Sequence, residues 1–180
     1  MPESGETVRT FVAVLLSEAA AREAERLLDR LRPLARCRWV TRAQLHITLR
    51  FLGELPPAAV ERVRSAVVAV AVQPFDIELH RAGAFPDLAR PRTLWLGGDR
   101  GASELTALAG RVNDALFGVG IPRNDRPFSP HLTLARSDGS PLPPALMREL
   151  ERVPSVAWRC SDISLMRSRL TPRGAVYTRL

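Results

Sequence analysis

The stretches His46-Ile47-Thr48-Leu49 and His131-Leu132-Thr133-Leu134 repeat one pattern: histidine, an apolar residue, threonine and leucine. Apolar and polar residues alternate with a period of two in both stretches, and this alternation predicts a β-strand. The histidine and the threonine of each strand share one face and lie roughly 7 Å apart along the chain. Two such strands facing each other would line a cleft with two imidazoles and two hydroxyls, which suits acid–base chemistry on a phosphate.

A single copy of so short a pattern is typical of a structural histidine beside a threonine that favours strands. Two copies in a chain with three histidines favour a shared site instead. The third histidine, His80, follows the run Phe75-Asp76-Ile77-Glu78-Leu79 and has no matching threonine. We therefore interpret His80 as a structural or solvent-facing residue.

The composition is that of an ordinary globular protein. The chain has 180 residues, of which 46% are hydrophobic and 25% charged, enough for one substantial core or two small lobes that share one. No apolar run approaches the roughly 18 residues of a membrane span, and the start, Met1 to Thr7, is polar and acidic, unlike a secretory leader. We therefore expect a cytoplasmic protein. We also expect Cys37 and Cys160 to be reduced thiols, because their spacing fits no metal motif.

The formal net charge is +7, and all 26 basic residues are arginine. Genome base composition explains part of this bias, but the chemical consequence is independent of its origin. Without lysine the chain has no Walker-A lysine, no Schiff base to pyridoxal phosphate and no lysyl-adenylate intermediate. A basic surface suits a polyanion such as RNA, although the charge alone does not establish RNA as the partner.

Strands outnumber helices in the sequence pattern. The alternation predicts strands over residues 8–16, 37–40, 45–52, 75–84, 93–96, 156–170 and 175–180, with Gly53 ending the third. Helices are predicted over 18–34, from Pro56-Pro57 onward, and over 105–119 and 143–152. Since β-α-β units do not alternate, we predict an α+β protein with antiparallel sheets, in one domain over residues 1–180.

Two longer segments carry a family resemblance. Leu45 to Gly53 and Phe128 to Arg136 resemble the two signature motifs of the 2H phosphoesterases, and most of all those of the RNA 2′,3′-cyclic phosphodiesterases, or LigT-like 2′–5′ RNA ligases. The segment Arg9 to Ala13, the segment Leu94 to Gly97 and the tail around Tyr177 also fit. The resemblance implies a bilobal fold, with two pseudo-twofold-related antiparallel sheets and outer helices around a central cleft.

The same resemblance implies an activity. It is the hydrolysis of RNA 2′,3′-cyclic phosphate ends to a 2′-phosphomonoester, with His46 as general acid and His131 as general base. The residues alone do not distinguish these two roles. The resemblance further implies no cofactor and no metal, and an RNA with a 2′,3′-cyclic phosphate end as partner. We expect a monomer without a membrane partner.

Three more residues are candidates for contact with the phosphate. The hydroxyls of Thr48 and Thr133 can donate to its non-bridging oxygens, and Arg136 can add a charge-assisted contact. Strict alternation puts Arg136 on the face opposite His131, so this contact requires the strand to end or bend near Ala135. The alternative for Arg136 is a solvated surface arginine.

Other functions use the same residues. The site could instead act on small cyclic nucleotides or ADP-ribose cyclic phosphate, or join tRNA halves through a 2′–5′ linkage. A different class is a basic RNA-binding module whose histidines only contact phosphate. The chain contains neither Gly-x-Ser-x-Gly nor His-Glu-x-x-His, which argues against a serine hydrolase and a zincin.

Overall fold

A computed structural model describes residues 7–180; most of the polar start used above lies outside this range. The elements follow one another as β1 (Val8–Leu15), α1 (Glu18–Leu31), β2 (Arg38–Trp39), β3 (His46–Leu55), α2 (Pro57–Val68), β4 (Phe75–Leu79), β5 (Arg81–Phe85), β6 (Thr93–Gly97), α3 (Ala102–Phe117), β7 (Leu132–Arg136), α4 (Pro144–Leu150), β8 (Val156–Cys160), β9 (Ser164–Thr171) and β10 (Gly174–Arg179).

The strands form two antiparallel sheets, which confirms the predicted α+β class. The large sheet has the order β10-β9-β1-β3-β7-β6-β5, with β2 also paired to β7, and the small sheet consists of β4 and β8. The strands β10-β9-β1-β3 carry the first motif and the strands β7-β6-β5 carry the second. These two groups meet at β3 and β7, where Ile47 pairs with Leu132. They therefore form one continuous sheet whose centre holds both motifs.

Helix α1 shows how local signals set an element. The Ser17 hydroxyl accepts a hydrogen bond from the backbone N–H of Ala20 at 3.2 Å, as expected for an N-cap. The apolar stripe of the helix is fully buried in the main core and includes Leu27 and Leu28. The α-helix ends at Leu31 rather than at the predicted residue 34, because Pro33 lacks an N–H and restricts the residue before it.

The two faces of the large sheet differ. One face packs against the helices, and its buried core contains Val12, Ile47 and Leu132. Phe11 and Ala13 alternate with Val12 along β1, so they point to the other face, where they form a small separate cluster with Met166. The motif side chains lie on this second face.

Two predicted long strands are divided between the sheets. Apolar and polar residues alternate from Phe75 to His80, and the alternation breaks at Arg81. Strand β4 pairs with β8, whereas β5 pairs with β6. The chain crosses from one sheet to the other at His80, whose backbone N–H donates to the Gly97 carbonyl at 3.0 Å. The predicted strand over 156–170 divides in the same way, into β8 and β9.

The predicted strand end at Gly53 is wrong. Strand β3 continues to Leu55, and Gly53 has a φ of 73°. Thr10 pairs with Gly53 but Phe11 pairs with Phe51, so Leu52 is an extra residue that forms a β-bulge. Glycine adopts this positive φ without steric cost, which lets the strand continue.

Candidate active site

The two histidine motifs lie side by side at the centre of the large sheet. Ile47 pairs with Leu132 across the two antiparallel strands. Their neighbours are therefore opposed as well, so that His46 lies opposite Thr133 and Thr48 lies opposite His131. Opposed residues of antiparallel strands point to the same face. The sheet thus places two imidazoles and two hydroxyls on one face, related by a local twofold.

His46, the first residue of β3, is held at both ring nitrogens. Its Nδ1 lies 2.8 Å from the Gln44 carbonyl oxygen and its Nε2 lies 2.9 Å from the Thr48 hydroxyl. Nδ1–H donates to the carbonyl, so in the neutral ring the Thr48 hydroxyl donates to Nε2. Gln44 is itself anchored, because its side-chain amide donates to the Ala175 carbonyl at 2.6 Å.

Aromatic rings fix the orientation of His46. The Phe11 ring lies 4.8 Å from the imidazole, and the Tyr177 ring meets it edge-on at 5.2 Å. Phe11 and Tyr177 also contact each other at 5.0 Å. These rings cover one side of the imidazole and partly remove it from water.

His131 lies immediately before β7 and repeats the arrangement. Its Nδ1 is 2.8 Å from the Ser129 carbonyl oxygen, so both histidines are held by the carbonyl of the residue two positions earlier. The Phe85 ring meets the imidazole edge-on at 5.0 Å and packs on Trp95 at 5.3 Å. Within residues 7–180 the Nε2 of His131 has no hydrogen-bond partner, so it is free to meet a ligand.

The surroundings favour the neutral form of both imidazoles. Burial is the largest cause that lowers the pKa of His46, opposed by its hydrogen bond to Gln44, and the charge of His131 lowers this pKa further. Burial also lowers the pKa of His131, and the nearby charge of Arg136 adds to that effect. Because a proton on one ring disfavours a proton on the other, the pair titrates as a coupled unit.

A β-bulge puts Arg136 on the face of the histidines. Thr133 pairs with Trp95, but Ala135 pairs with Leu94, so the residue between them, Leu134, is extra and the alternation shifts by one. This is the bend near Ala135 that the contact requires. Arg136 then lies opposite Thr93 and donates to its hydroxyl at 2.6 Å, while its side chain stays exposed.

The remaining candidates lie outside this site. His80 is exposed at the crossing between the sheets, and Cys37 and Cys160 form no disulfide. Across residues 7–180, no three His, Cys, Asp or Glu side chains cluster in a way that could hold a metal ion. No helix in the same range is long and apolar enough to cross a membrane.

The sequence analysis missed the residues that hold the histidines. Gln44 and Ser129 act through backbone carbonyls, so their side-chain identity carries no signal. Phe11 and Tyr177 lie in stretches that match the family, yet their place beside His46 depends on the pairing of β1, β9 and β10. Phe85 gave no signal at all.

Known proteins with similar sequences and structures agree on a family. The family model described as "2'-5' RNA ligase superfamily" matches residues 17–172. A relative from Aquifex aeolicus named RNA 2′,3′-cyclic phosphodiesterase is 34% identical over 95% of this chain and 94% of its own. One of the same name from Aeropyrum pernix is 37% identical over 75% of this chain and 78% of its own.

Solved structures have the same fold. A Thermus thermophilus protein superposes with a TM-score of 0.78 at 32% identity, covering 96% of this chain and 94% of its own. Escherichia coli LigT without ligand also gives 0.78, at 24% identity and covering 98% and 96%. The family match over most of the chain and these relatives together show that the protein belongs to the 2′-5′ RNA ligase superfamily.

Proposed function

We propose that this protein is an enzyme that hydrolyses RNA 2′,3′-cyclic phosphate ends to 2′-phosphomonoesters, with His46 and His131 as its acid–base pair and without a metal ion. The observation that carries the proposal is the pairing of β3 with β7, which puts both His-x-Thr units on one face with each Nδ1 bound to a backbone carbonyl. The relatives named RNA 2′,3′-cyclic phosphodiesterase support this substrate class.

The proposed reaction is an in-line displacement at phosphorus. Nε2 of His131 removes a proton from water as the water oxygen attacks the phosphorus atom. The bond from phosphorus to the ribose 3′ oxygen breaks, and Nε2–H of His46 gives that oxygen its proton. The phosphate stays on the 2′ oxygen, and the two histidines have exchanged their protonation states.

The charge of Arg136 supports this assignment of roles, and the bound substrate supplies what His46 needs. Arg136 lies near His131 and favours its neutral form, which a general base requires. The lowered pKa of His46 opposes the protonated form that a general acid needs, but a bound phosphodiester carries a negative charge that raises this pKa. The acid state of His46 is therefore formed with the substrate in place.

The hydroxyls and the guanidinium complete the proposed site. Thr48 and Thr133 lie beside the histidines on the same face and donate to the non-bridging oxygens, where negative charge builds up. Arg136, held by Thr93, is placed to add a charge-assisted hydrogen bond. We further propose that the chain acts as a cytoplasmic monomer in which residues 1–180 form one domain.

The test is turnover of an oligonucleotide with a 2′,3′-cyclic phosphate end in the presence of EDTA, with the product identified by ³¹P NMR. We expect full activity and a 2′-phosphate product. Loss of turnover in EDTA that a divalent ion restores would contradict metal independence. Formation of a 2′–5′ bond with a 5′-hydroxyl RNA as the main reaction, or turnover of small cyclic nucleotides alone, would point to the alternative substrates.

A further inference from the structure

Strand β2 adds a residue to a row of side chains that crosses the histidine face. Arg38 of β2 pairs with Arg136 of β7. Arg136 in turn pairs with Thr93, which pairs with Phe85. Opposed residues of antiparallel strands point to the same face. The row lies on the histidine face, because the Phe85 ring contacts the ring of His131.

The residue after Arg38 agrees with this direction. Trp39 pairs with Ala135; Ala135 belongs to the main core on the helix side, and Trp39 packs against that core. Successive side chains of a strand point to opposite faces. Arg38 therefore points to the face that carries the histidines, and its side chain is exposed there.

Two arginines thus lie directly opposite each other across the β2–β7 pair. Within residues 7–180 the Arg38 side chain has no hydrogen bond or ion pair, and Arg136 donates to the uncharged hydroxyl of Thr93. Like charges at opposed strand positions, whose Cβ atoms lie about 5 Å apart, destabilise a sheet. An anion beside the two guanidinium groups would offset this repulsion.

The acid that follows Arg136 along the chain does not balance the pair. Asp138 accepts a hydrogen bond from the backbone N–H of Ser140 at 2.8 Å. Hydrogen bonds from Ser140 lower the pKa of Asp138, and the charge of Arg92 adds to this effect. The carboxylate is therefore matched by Ser140 and Arg92, and the two opposed arginines keep their positive charge.

The charge of the substrate indicates which anion fits. A 2′,3′-cyclic phosphate is a diester with one negative charge, whereas Arg38 and Arg136 carry two positive charges. A second phosphate is needed to match both. In an RNA chain the next phosphate is the diester on the 5′ oxygen of the same terminal ribose. Arginine suits such a group, because its guanidinium presents a fork of N–H donors to two phosphate oxygens.

We propose that Arg38 is a second phosphate-binding residue, which contacts the 5′ phosphodiester of the terminal nucleotide while Arg136 contacts the cyclic phosphate. The inference rests on the proposed function and adds a specificity to it. The enzyme then distinguishes a cyclic end that continues into a chain from a free nucleoside 2′,3′-cyclic phosphate by the charge of one phosphate.

The test uses two small substrates that differ by this one charge. Both are nucleoside 2′,3′-cyclic phosphates; one has a free 5′ hydroxyl, and the other carries a methyl phosphodiester on its 5′ oxygen. The native enzyme should have the higher kcat/KM with the second, and added salt should reduce this preference. Arg38→Gln should reduce the preference by about tenfold, the order of one lost charge-assisted hydrogen bond. A general effect of Arg38 on the cyclic phosphate changes both substrates and cancels in the ratio.

Arg111 provides the matched control. It is exposed on α3, and within residues 7–180 its side chain also has no hydrogen bond or ion pair. Arg111→Gln removes the same charge on the helix side of the sheet and should leave the preference unchanged. Thermal unfolding checks that each variant is folded.

Equilibrium binding of the two corresponding nucleoside 2′-phosphates, with and without the 5′ methyl phosphodiester, separates the two proposals. If neither cyclic substrate is turned over but Arg38→Gln still weakens binding of the 5′-phosphorylated ligand more than Arg111→Gln does, the proposed function fails and the second phosphate site stands. The second phosphate site is contradicted if Arg38→Gln behaves like Arg111→Gln in both assays, if it impairs both substrates equally, or if the native preference does not fall with added salt.

Discussion

At the scale of single residues, the two backbone carbonyls that bind Nδ1 of His46 and His131 leave Nε2 as the nitrogen that the proposed mechanism uses. We predict that His46→Ala and His131→Ala each lower kcat by about 10²–10⁴, the usual contribution of a positioned acid or base. His80→Ala is the control and should retain full activity, because His80 is exposed and outside the site. Equal losses for all three variants would contradict the assignment.

The pKa directions predict the pH dependence. Burial lowers the pKa of both histidines, so in the free enzyme the state with one proton on the pair is most populated below the ordinary histidine pKa of about 6.5. We expect a bell-shaped kcat/KM profile centred below that value. The kcat profile should be centred at higher pH, since bound phosphate raises both pKa values.

A change at Arg136 tests why the pKa of His131 is lowered. The charge of Arg136 lowers the pKa of His131, so Arg136→Ala should move the acidic limb of the kcat/KM profile to higher pH. An unshifted limb in Arg136→Ala, or a profile of the native enzyme that rises steadily through neutral pH, would contradict the coupled pair.

The threonines are tested by a change that keeps their shape. Thr48→Val and Thr133→Val preserve the β-branched side chain but remove the hydroxyl, and each should cost about 1–3 kcal/mol of transition-state stabilisation. The measurement is kcat/KM with the cyclic-ended oligonucleotide. Unchanged kinetics in both variants would show that the hydroxyls only favour the strand.

At the scale of elements, the bulges of β3 and β7 decide which side chains reach the site. Gly53 follows the bulge at Leu52 of β3 and has a φ of 73°, and a Cβ there would meet only the Phe51 ring at 3.9 Å. Gly53→Ala is therefore expected to destabilise the fold because alanine disfavours the positive φ, and not because the added Cβ clashes. We predict a loss of about 1–2 kcal/mol in the free energy of unfolding, measured by denaturant titration.

Gly110→Ala should have the opposite effect on the free energy of unfolding and serves as the control for Gly53→Ala. Gly110 lies inside α3, and a Cβ there would have no neighbour within 4 Å. Gly110→Ala should raise the free energy of unfolding by about 0.5–1 kcal/mol, because alanine favours the helix. A loss of stability at Gly110 as large as at Gly53 would contradict the role of the positive φ.

Local signals predicted the elements whose boundaries are set locally. The start of the first helix at residue 18 and the helix opened by Pro56-Pro57 depend on side-chain hydrogen bonds and backbone restrictions within a few residues. The exchange of sheets at His80 depends on which strands lie on either side; the alternation breaks at Arg81, but this break does not tell which strand each piece pairs with. The bulges have the same origin, because a register exists only between two strands.

At the scale of the whole molecule, the candidate site joins the two halves of the chain. The motifs were visible in the sequence because their spacing and chemistry repeat, and the structure brings them together at Ile47 and Leu132. Their environment was not visible, since the rings beside His46 come from both ends of the chain, at Phe11 and Tyr177. Motif chemistry is local, whereas the surroundings that set the pKa values are assembled by the fold.

The central claim is that His46 protonates the leaving 3′ oxygen while His131 activates water. The most direct measurement uses a cyclic substrate whose 3′ bridging oxygen is replaced by sulfur, because a thiolate leaves without a proton. His46→Ala should hydrolyse this substrate at close to the native rate, and His131→Ala should remain inactive. Equal failure of both variants, or rescue of His131→Ala instead, would contradict the account.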